Sequence, residues 1–294
     1  MAILYGINST EAANTKLPNG ADLFTSVMRQ SGFPAFWGRS LSGDNKITKE
    51  EGAYLKSKNC KVALIFDELT ESQVSSKNGS GDAMRAIDAA QALDVPANQN
   101  IALFADIKND WNVNHDWMVS YANTLLDNGY IPGFIGNTDA SANYNFDIQC
   151  NKYVQSMQEI ARDSTVYWAT APKLGEPGEW TPYCPSTLAP EHISMWRSGG
   201  NVTFGDYTAT VNYSRDESVM DFMWDAAAVT PMGGTFCDRC HGGGCSHCKP
   251  GSGGGGNNPP AYPGSSTPPA ITRCTRCGVP SCSGTCVIGP TPGD

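Results

Sequence analysis

Acidic side chains directly follow two apolar runs in the first half of the chain, where they could take part in catalysis. In the segment NIALFADIKND, five apolar residues precede Asp106. The earlier run VALIF precedes Asp67 and Glu68. Hydrolysis of a glycosidic bond generally uses two carboxyl groups, one as the acid and one as the base or nucleophile. These three acids are therefore candidate catalytic residues, and the alternative is that they only form ion pairs with nearby cations.

The elements that must position these acids alternate between short β-rich runs and longer helical patterns. Six or seven repeats of strand and helix in about 230 residues match a (β/α)8 barrel, and an open doubly wound sheet is the alternative. Thr48 and Glu51 form a capping-box pattern at the start of the second helix. The predicted strands are residues 3–8, 35–39, 62–66, 101–106, 131–135, 165–169, 192–196 and 208–213, and the predicted helices are 22–31, 48–59, 81–94, 114–128, 148–162 and 217–227.

The last third of the predicted barrel is irregular. Residues 173–191 contain four prolines and two glycines, so they must form a loop where a regular helix would precede the seventh strand. The predicted fold class is therefore α/β, a TIM-type (β/α)8 barrel with an irregular last third, followed by a small cysteine-rich tail dominated by loops.

Polar and aromatic residues at the predicted strand ends and in the long loop are candidates for binding a substrate. Chemistry in such barrels gathers where strands end and loops begin. Aromatic faces stack on sugar rings, while polar groups fix the orientation of the sugar. Trp37 and Trp168 are expected to be core residues. The candidate substrate-binding residues are Asn8, Arg39, Lys108, Asn137, Trp180 and Trp196.

Four ordered segments carry a family resemblance: YGINST, FWGRSLSGDNKITKEEGAYLKSKNCKVALIF, GSGDAMRAIDAAQALDVPANQNIALFADIKND and LLDNGYIPGFIGN. In this order they resemble the glycoside-hydrolase-like domains of unassigned function that are related to the Chalaropsis-type lysozymes. The resemblance extends from residue 3 to about residue 224. It implies a (β/α)8-type barrel with a carbohydrate-related ancestry.

The chain departs from the lysozyme relatives at the positions that would carry catalysis. Those relatives have an aspartate where Asn8 stands, and another at the position aligned with Thr210, two residues before Asn212. They end the fourth strand in Asp-x-Glu, with the glutamate as proton donor, whereas this chain has Asp106 and then Lys108. A lysine ordinarily keeps its proton until about pH 10, so it cannot replace a general acid near neutral pH.

Composition limits the classes of partner. The chain has 20 basic and 29 acidic residues and a net charge of −9, which argues against nucleic acid or an anionic membrane surface as the main partner. No apolar run approaches the length of a bilayer span. The start, MAILYGINST, lacks the features of a secretory signal. An extracellular or particle-associated location is nevertheless expected over a cytoplasmic one, because the resembling domains often lie outside the cell.

Eight of the eleven cysteines lie in the last fifth of the chain, on either side of a segment rich in Gly and Pro. In the first group two CxxC pairs could hold a tetrahedral structural zinc, and a disulfide framework is the alternative. The spacing CxxCxGxG is weakly similar to the zinc motif of DnaJ-type co-chaperones, although the second pair departs from it. The candidate zinc ligands are Cys237, Cys240, Cys245 and Cys248. The predicted domains are the barrel at 1–230, a first cysteine cluster at 231–250, a linker at 251–270 and a second cysteine cluster at 271–294.

Together these features predict a glycoside-hydrolase-like barrel that has lost lysozyme-type catalysis. It would recognise a polysaccharide or glycan, or serve as a structural subunit that forms homo-oligomers or larger assemblies through its tail. The competing hypothesis is an active glycosidase on cell-wall polysaccharide, in which Asp106 works with Glu68 or Asp67.

Overall fold

A computed structural model describes residues 2–139, 141, 144–170 and 178–226, apart from the side chain of residue 198. Residues 1–229 form one compact unit. The predictions for the cysteine clusters and the linker lie outside the described residues. Within the described part of the chain, no helix is both long and apolar enough to cross a bilayer.

Eight strands close into one barrel in chain order. Each overlaps one of the eight strands predicted from the sequence. Strands β1 to β7 pair with their neighbours in parallel, as a sheet built from β-α-β units requires. The strands are β1 (Leu4–Ser9), β2 (Phe36–Ser40), β3 (Lys61–Phe66), β4 (Ala102–Asp106), β5 (Ile131–Gly136), β6 (Val166–Ala169), β7 (Ile193–Phe204) and β8 (Tyr207–Ser214).

Seven α-helices connect the first six strands. Local signals define several of their ends: Thr48 caps α2 by accepting a hydrogen bond from the Glu51 amide at 3.1 Å. The predicted helix over 148–162 is divided at Gln158, where φ is 49°. The helices are α1 (Leu23–Ser31), α2 (Lys49–Ser57), α3 (Glu71–Val74), α4 (Ser80–Ala92), α5 (His115–Asp127), α6 (Asn145–Met157) and α7 (Glu159–Asp163).

The last strand departs from the (β/α)8 pattern, within the third of the barrel that was predicted to be irregular. β8 runs antiparallel to both β1 and β7, and no helix separates β7 from β8. Phe204 pairs with Tyr207, so Gly205 and Asp206 form a two-residue hairpin turn, with φ of 60° at Gly205. The predicted helix over 217–227 is instead a short 3-10 helix, Glu217–Phe222, whose Val219 belongs to the core inside the barrel.

Large aromatic rings fill the barrel interior because glycines on other strands leave room for them. A Cβ atom on Gly133 would lie 2.5 Å from Cδ1 of Phe104, and one on Gly38 would lie 3.0 Å from Cη2 of Trp168. The Trp168 ring is edge-on to Phe36 and Phe104, with centroid distances of 6.3 and 5.5 Å. This packing buries apolar surface in the middle of the barrel and leaves the strand ends for polar residues.

We expect Gly133→Ala to destabilise the barrel by about 3 kcal/mol, because the new methyl group would overlap the buried Phe104 ring. Gly81→Ala is the matched control, since a Cβ atom on Gly81 meets no atom within 4 Å. Alanine at this helical position should be neutral or stabilise by up to about 1 kcal/mol. Urea denaturation measures both changes, and equal midpoints for the two variants would contradict the packing described above.

Candidate functional site

A polar cleft with a volume of about 380 Å³ opens at the carboxyl ends of β1 to β4. Chemistry in barrels of this type occurs at this end, where loops leave the strands. The cleft brings together all three predicted catalytic acids and two of the predicted substrate-binding residues, Asn8 and Lys108. Its lining is Asn8, Ser9, Thr10, Ser40, Ser42, Gly43, Asp44, Asn45, Ile65, Asp67, Glu68, Asp106 and Lys108.

Asp106 is the last residue of β4, and its side chain is only 16% exposed. Side chains two residues apart in an extended chain point to the same side, so Lys108 follows Asp106 on the face of the cleft. The Lys108 ammonium group forms an ion pair with Oδ2 of Asp106. The arrangement expected from the sequence is therefore present: the acid at the end of the fourth strand is paired with a cation.

Asp67 and Glu68 lie beside this pair, just after β3. Asp67 is exposed and accepts hydrogen bonds from the hydroxyl groups of Ser40 at 2.5 Å and Ser42 at 3.4 Å. The Glu68 side chain is also exposed. Asp67 thus has an ordered hydrogen-bond environment, and Glu68 is an acid that a ligand in the cleft could reach.

Asn8 and Thr210 are the residues of this chain that align with two aspartates of the lysozyme relatives. They are direct neighbours across the β1–β8 pair. Asn212 is fully buried, and its side-chain oxygen accepts a hydrogen bond from Nε1 of Trp168 at 3.1 Å. Neutral side chains therefore stand at both positions on this side of the barrel mouth.

Arg39 has a structural position, although the sequence suggested a role in substrate binding. It is 1% exposed, and its Nε donates to Oε1 of Glu51 at 2.8 Å. Its remaining nitrogens donate to the main-chain oxygens of Ser9, Thr10 and Asn45. These bonds connect the loops after β1 and β2 to the start of α2. Arg39 therefore stabilises the loops that line the cleft.

Three other predicted binding residues are also engaged within the protein. Asn137 is 4% exposed, and its side-chain oxygen accepts a hydrogen bond from the Asp139 amide. Trp196 is 3% exposed and packs edge-on against Trp180, with ring centroids 5.8 Å apart. The indole N–H of Trp180 donates to the main-chain oxygens of Pro190 and Ile193. None of the three is among the residues that line the cleft.

Arg197 on β7 was not among the candidates from the sequence. Its Nε atom is buried and has no hydrogen-bond partner among the described residues. Burial lowers the pKa of its guanidinium group, whereas the negative charge of Asp106 opposes that shift. Asp106 therefore interacts with two cations, Lys108 and Arg197. The predicted seventh strand ended at Trp196, one residue too early to include it.

The described part of the chain gives little evidence for metal binding or for a reactive thiol. It contains no group of three or more His, Cys, Asp or Glu side chains placed to hold a metal ion. Cys60 and Cys150 are free thiols. Burial raises the pKa of both Cys60 and Cys150, which keeps these thiols protonated and unreactive. The predicted zinc ligands lie outside the described residues.

No protein-family model matches the chain, and no curated protein matches it. Among solved structures, an uncharacterized protein from B. stearothermophilus is similar at a TM-score of 0.62 and 24% identity, over 75% of this chain and 100% of that one. A muramidase from Acremonium alcalophilum has a TM-score of 0.47 and 10% identity, over 74% and 97% of the two chains. A glycosyl hydrolase 25 of Streptococcus pneumoniae has a TM-score of 0.40 and 15% identity, over 74% and 91%. At 24% identity, the similarity to the B. stearothermophilus protein concerns the barrel fold alone.

Proposed function

We propose that the barrel binds a carbohydrate in the cleft at the ends of β1 to β4 and does not hydrolyse it. The observation that carries this proposal is the ion pair between Asp106 and Lys108. Lys108 holds the Asp106 carboxylate in this ion pair, so the carboxylate is engaged within the protein and is not free to act on a glycosidic bond. The ammonium group of Lys108 also occupies the position at which a lysozyme-type proton donor would be expected.

The other residues of the cleft suit a ligand with many hydroxyl groups. Thr10 and Ser42 offer hydroxyl groups that can both donate and accept hydrogen bonds. Asp67 and Glu68 are acceptors, while Asn8 can both donate and accept. The cleft volume falls within the usual range for small-molecule sites. A saccharide carries hydroxyl donors and acceptors all around its ring. The mixture of donors and acceptors in the cleft therefore favours a saccharide over an apolar ligand.

Hydrolysis is the second candidate function, because Asp67 and Glu68 line the same cleft as Asp106. In that case one of these acids would work with Asp106, and the saccharide would have to displace Lys108 from the Asp106 carboxylate. Two carboxyl groups on either side of the bond are the usual requirement for glycoside hydrolysis. The cation pairing of Asp106 and the neutral residues at positions 8 and 210 favour binding without cleavage.

Binding can be tested by calorimetric titration of the barrel with soluble chitin oligosaccharides and peptidoglycan fragments. We expect Glu68→Ala and Asp67→Ala each to weaken affinity about tenfold, since each removes an acceptor worth roughly 1.4 kcal/mol. Glu159→Ala is the control, because Glu159 is an exposed acid on α7 that does not line the cleft. If neither saccharide binds the unaltered protein, or if all three variants bind alike, the cleft is not the carbohydrate site.

For the tail, we propose a structural zinc site at Cys237, Cys240, Cys245 and Cys248. Two CxxC turns can direct four thiolates at one ion, and a closed four-cysteine site leaves no coordination position for catalysis. The short cysteine-rich segments contain little apolar material, so a metal or disulfides must stabilise them. We further propose that the two cysteine clusters, joined by the Gly/Pro-rich linker, connect neighbouring copies of the chain.

We expect the purified full chain to carry about one zinc ion per copy, because four thiolates complete one tetrahedral shell. Cys237→Ser should lose that zinc, whereas Cys184→Ser, at a barrel cysteine outside the two clusters, should retain it. Metal analysis together with free-thiol counting measures both outcomes, and sedimentation with and without a chelator reports whether assembly depends on the metal. A zinc-free chain whose tail cysteines are all oxidised would show that disulfides stabilise the tail instead.

A further inference from the structure

The cleft at the ends of β1 to β4 carries an excess of negative charge. Asp44, Asp67, Glu68 and Asp106 line it, and Lys108 is the one cation among the described residues of the lining. Lys108 is paired with Asp106, so the charges of these two residues offset each other. Three carboxylates remain, and they belong to the loops that follow β2 and β3.

Two of these carboxylates contact the end of β2 and the turn that follows it. Oδ1 of Asp67 accepts a hydrogen bond from the hydroxyl group of Ser40, the last residue of β2, at 2.5 Å. Oε1 of Glu68 lies 3.7 Å from the position that a Cβ atom on Gly43 would occupy. Asp44 follows Gly43 directly and also lines the cleft. The three acids are therefore grouped around one loop.

The chain leaves these three charges uncompensated. Within its described part, no ion pair involves any of them. The guanidinium group of Arg85 meets the main-chain oxygen of Glu68 at 3.4 Å, but its Nη2 is paired with Oδ1 of Asp82 at 2.7 Å. The charge of Arg85 is thus offset by Asp82. A cleft lined by one sign of charge concentrates ligands of the opposite sign, so this cleft favours a cation.

The arrangement of the acids suits an organic cation better than a metal ion. A calcium ion needs six to eight oxygen ligands within about 2.6 Å. No three His, Cys, Asp or Glu side chains in the described part of the chain are placed to provide such a shell. An ammonium group on a larger molecule can pair with separate carboxylates at N–O distances up to about 4 Å. The rest of that molecule could then form hydrogen bonds with the neutral lining residues.

We propose that the saccharide bound in the cleft is an amino sugar with a free, protonated amine, an assignment that rests on the carbohydrate site proposed above. The amine would lie near Asp44, Asp67 and Glu68, while the sugar hydroxyl groups would contact the neutral part of the lining. An N-acetyl group carries no charge, so an acetylated sugar would gain no ion pair with the three carboxylates. An acidic sugar would be repelled by them.

Tetramers of β-1,4-linked glucosamine and N-acetylglucosamine are matched probes, because they differ only in the acetyl groups. At about pH 6, where a primary amine is protonated, and at low salt, the full chain should bind the glucosamine tetramer about tenfold more tightly in calorimetric titration. Glu68→Gln and Asp44→Asn each remove a charge but keep an acceptor, so each should lower this affinity ratio about threefold. Glu159→Gln, at an exposed acid on α7 outside the cleft, should leave the ratio unchanged.

Salt dependence checks that charge is the cause. In about 1 M salt the screening length falls to roughly 3 Å, so the affinity ratio should approach one. An N-acetylated tetramer that binds as tightly as the glucosamine tetramer at low salt would overturn the amino-sugar assignment and leave the carbohydrate site intact. If neither tetramer binds, both the site and the assignment are wrong.

Two further results would contradict the assignment. Spermidine is a cation without a sugar ring, and it should bind more weakly than the glucosamine tetramer. Equal affinity would show that the cleft selects charge alone. A tenfold ratio that persists in both Glu68→Gln and Asp44→Asn would show that the amine binds away from the three carboxylates.

Discussion

The filling of the barrel interior by aromatic rings determines where polar chemistry can occur in this protein. Trp168, Phe36 and Phe104 pack edge-to-face in the middle of the barrel, and Gly38 and Gly133 leave the space that these rings occupy. At the other end of the strands, the short 3-10 helix adds apolar side chains to the same cluster. The inward-pointing polar residues therefore lie past this aromatic layer, at the carboxyl ends of the strands. The cleft is at this end of the barrel.

At that end, the alternation of side chains along an extended segment has a direct functional consequence. Asp106 and Lys108 are two residues apart, so they share a face and form an ion pair. Arg197 adds a second positive charge near the same carboxylate. The Asp106 carboxylate is thus engaged by cations, and the position two residues further on offers an ammonium group instead of the second carboxyl group that hydrolysis generally uses. Asn8 and Thr210, which are neutral neighbours on β1 and β8, agree with this interpretation.

The sequence predicted the strands well because buried parallel strands appear as continuous apolar runs. It did not predict the direction of β8, since alternation along a strand is the same whichever way the strand runs. Only the two-residue turn at Gly205 and Asp206 distinguishes a hairpin from a crossover. The three acids of the cleft were found because strand ends could be located. The sequence did not reveal the structural role of Arg39, because the position of its partner Glu51 depends on the packing of α2 against the barrel.

The most direct test of this account is the release of reducing ends from peptidoglycan and chitin by the purified full chain at neutral pH. If the ion pair between Asp106 and Lys108 has replaced lysozyme-type catalysis, the rate should equal that of buffer alone, and Asp106→Ala should not change it. A release of reducing ends that is abolished by Asp106→Ala would contradict the central claim and establish the barrel as an active glycosidase.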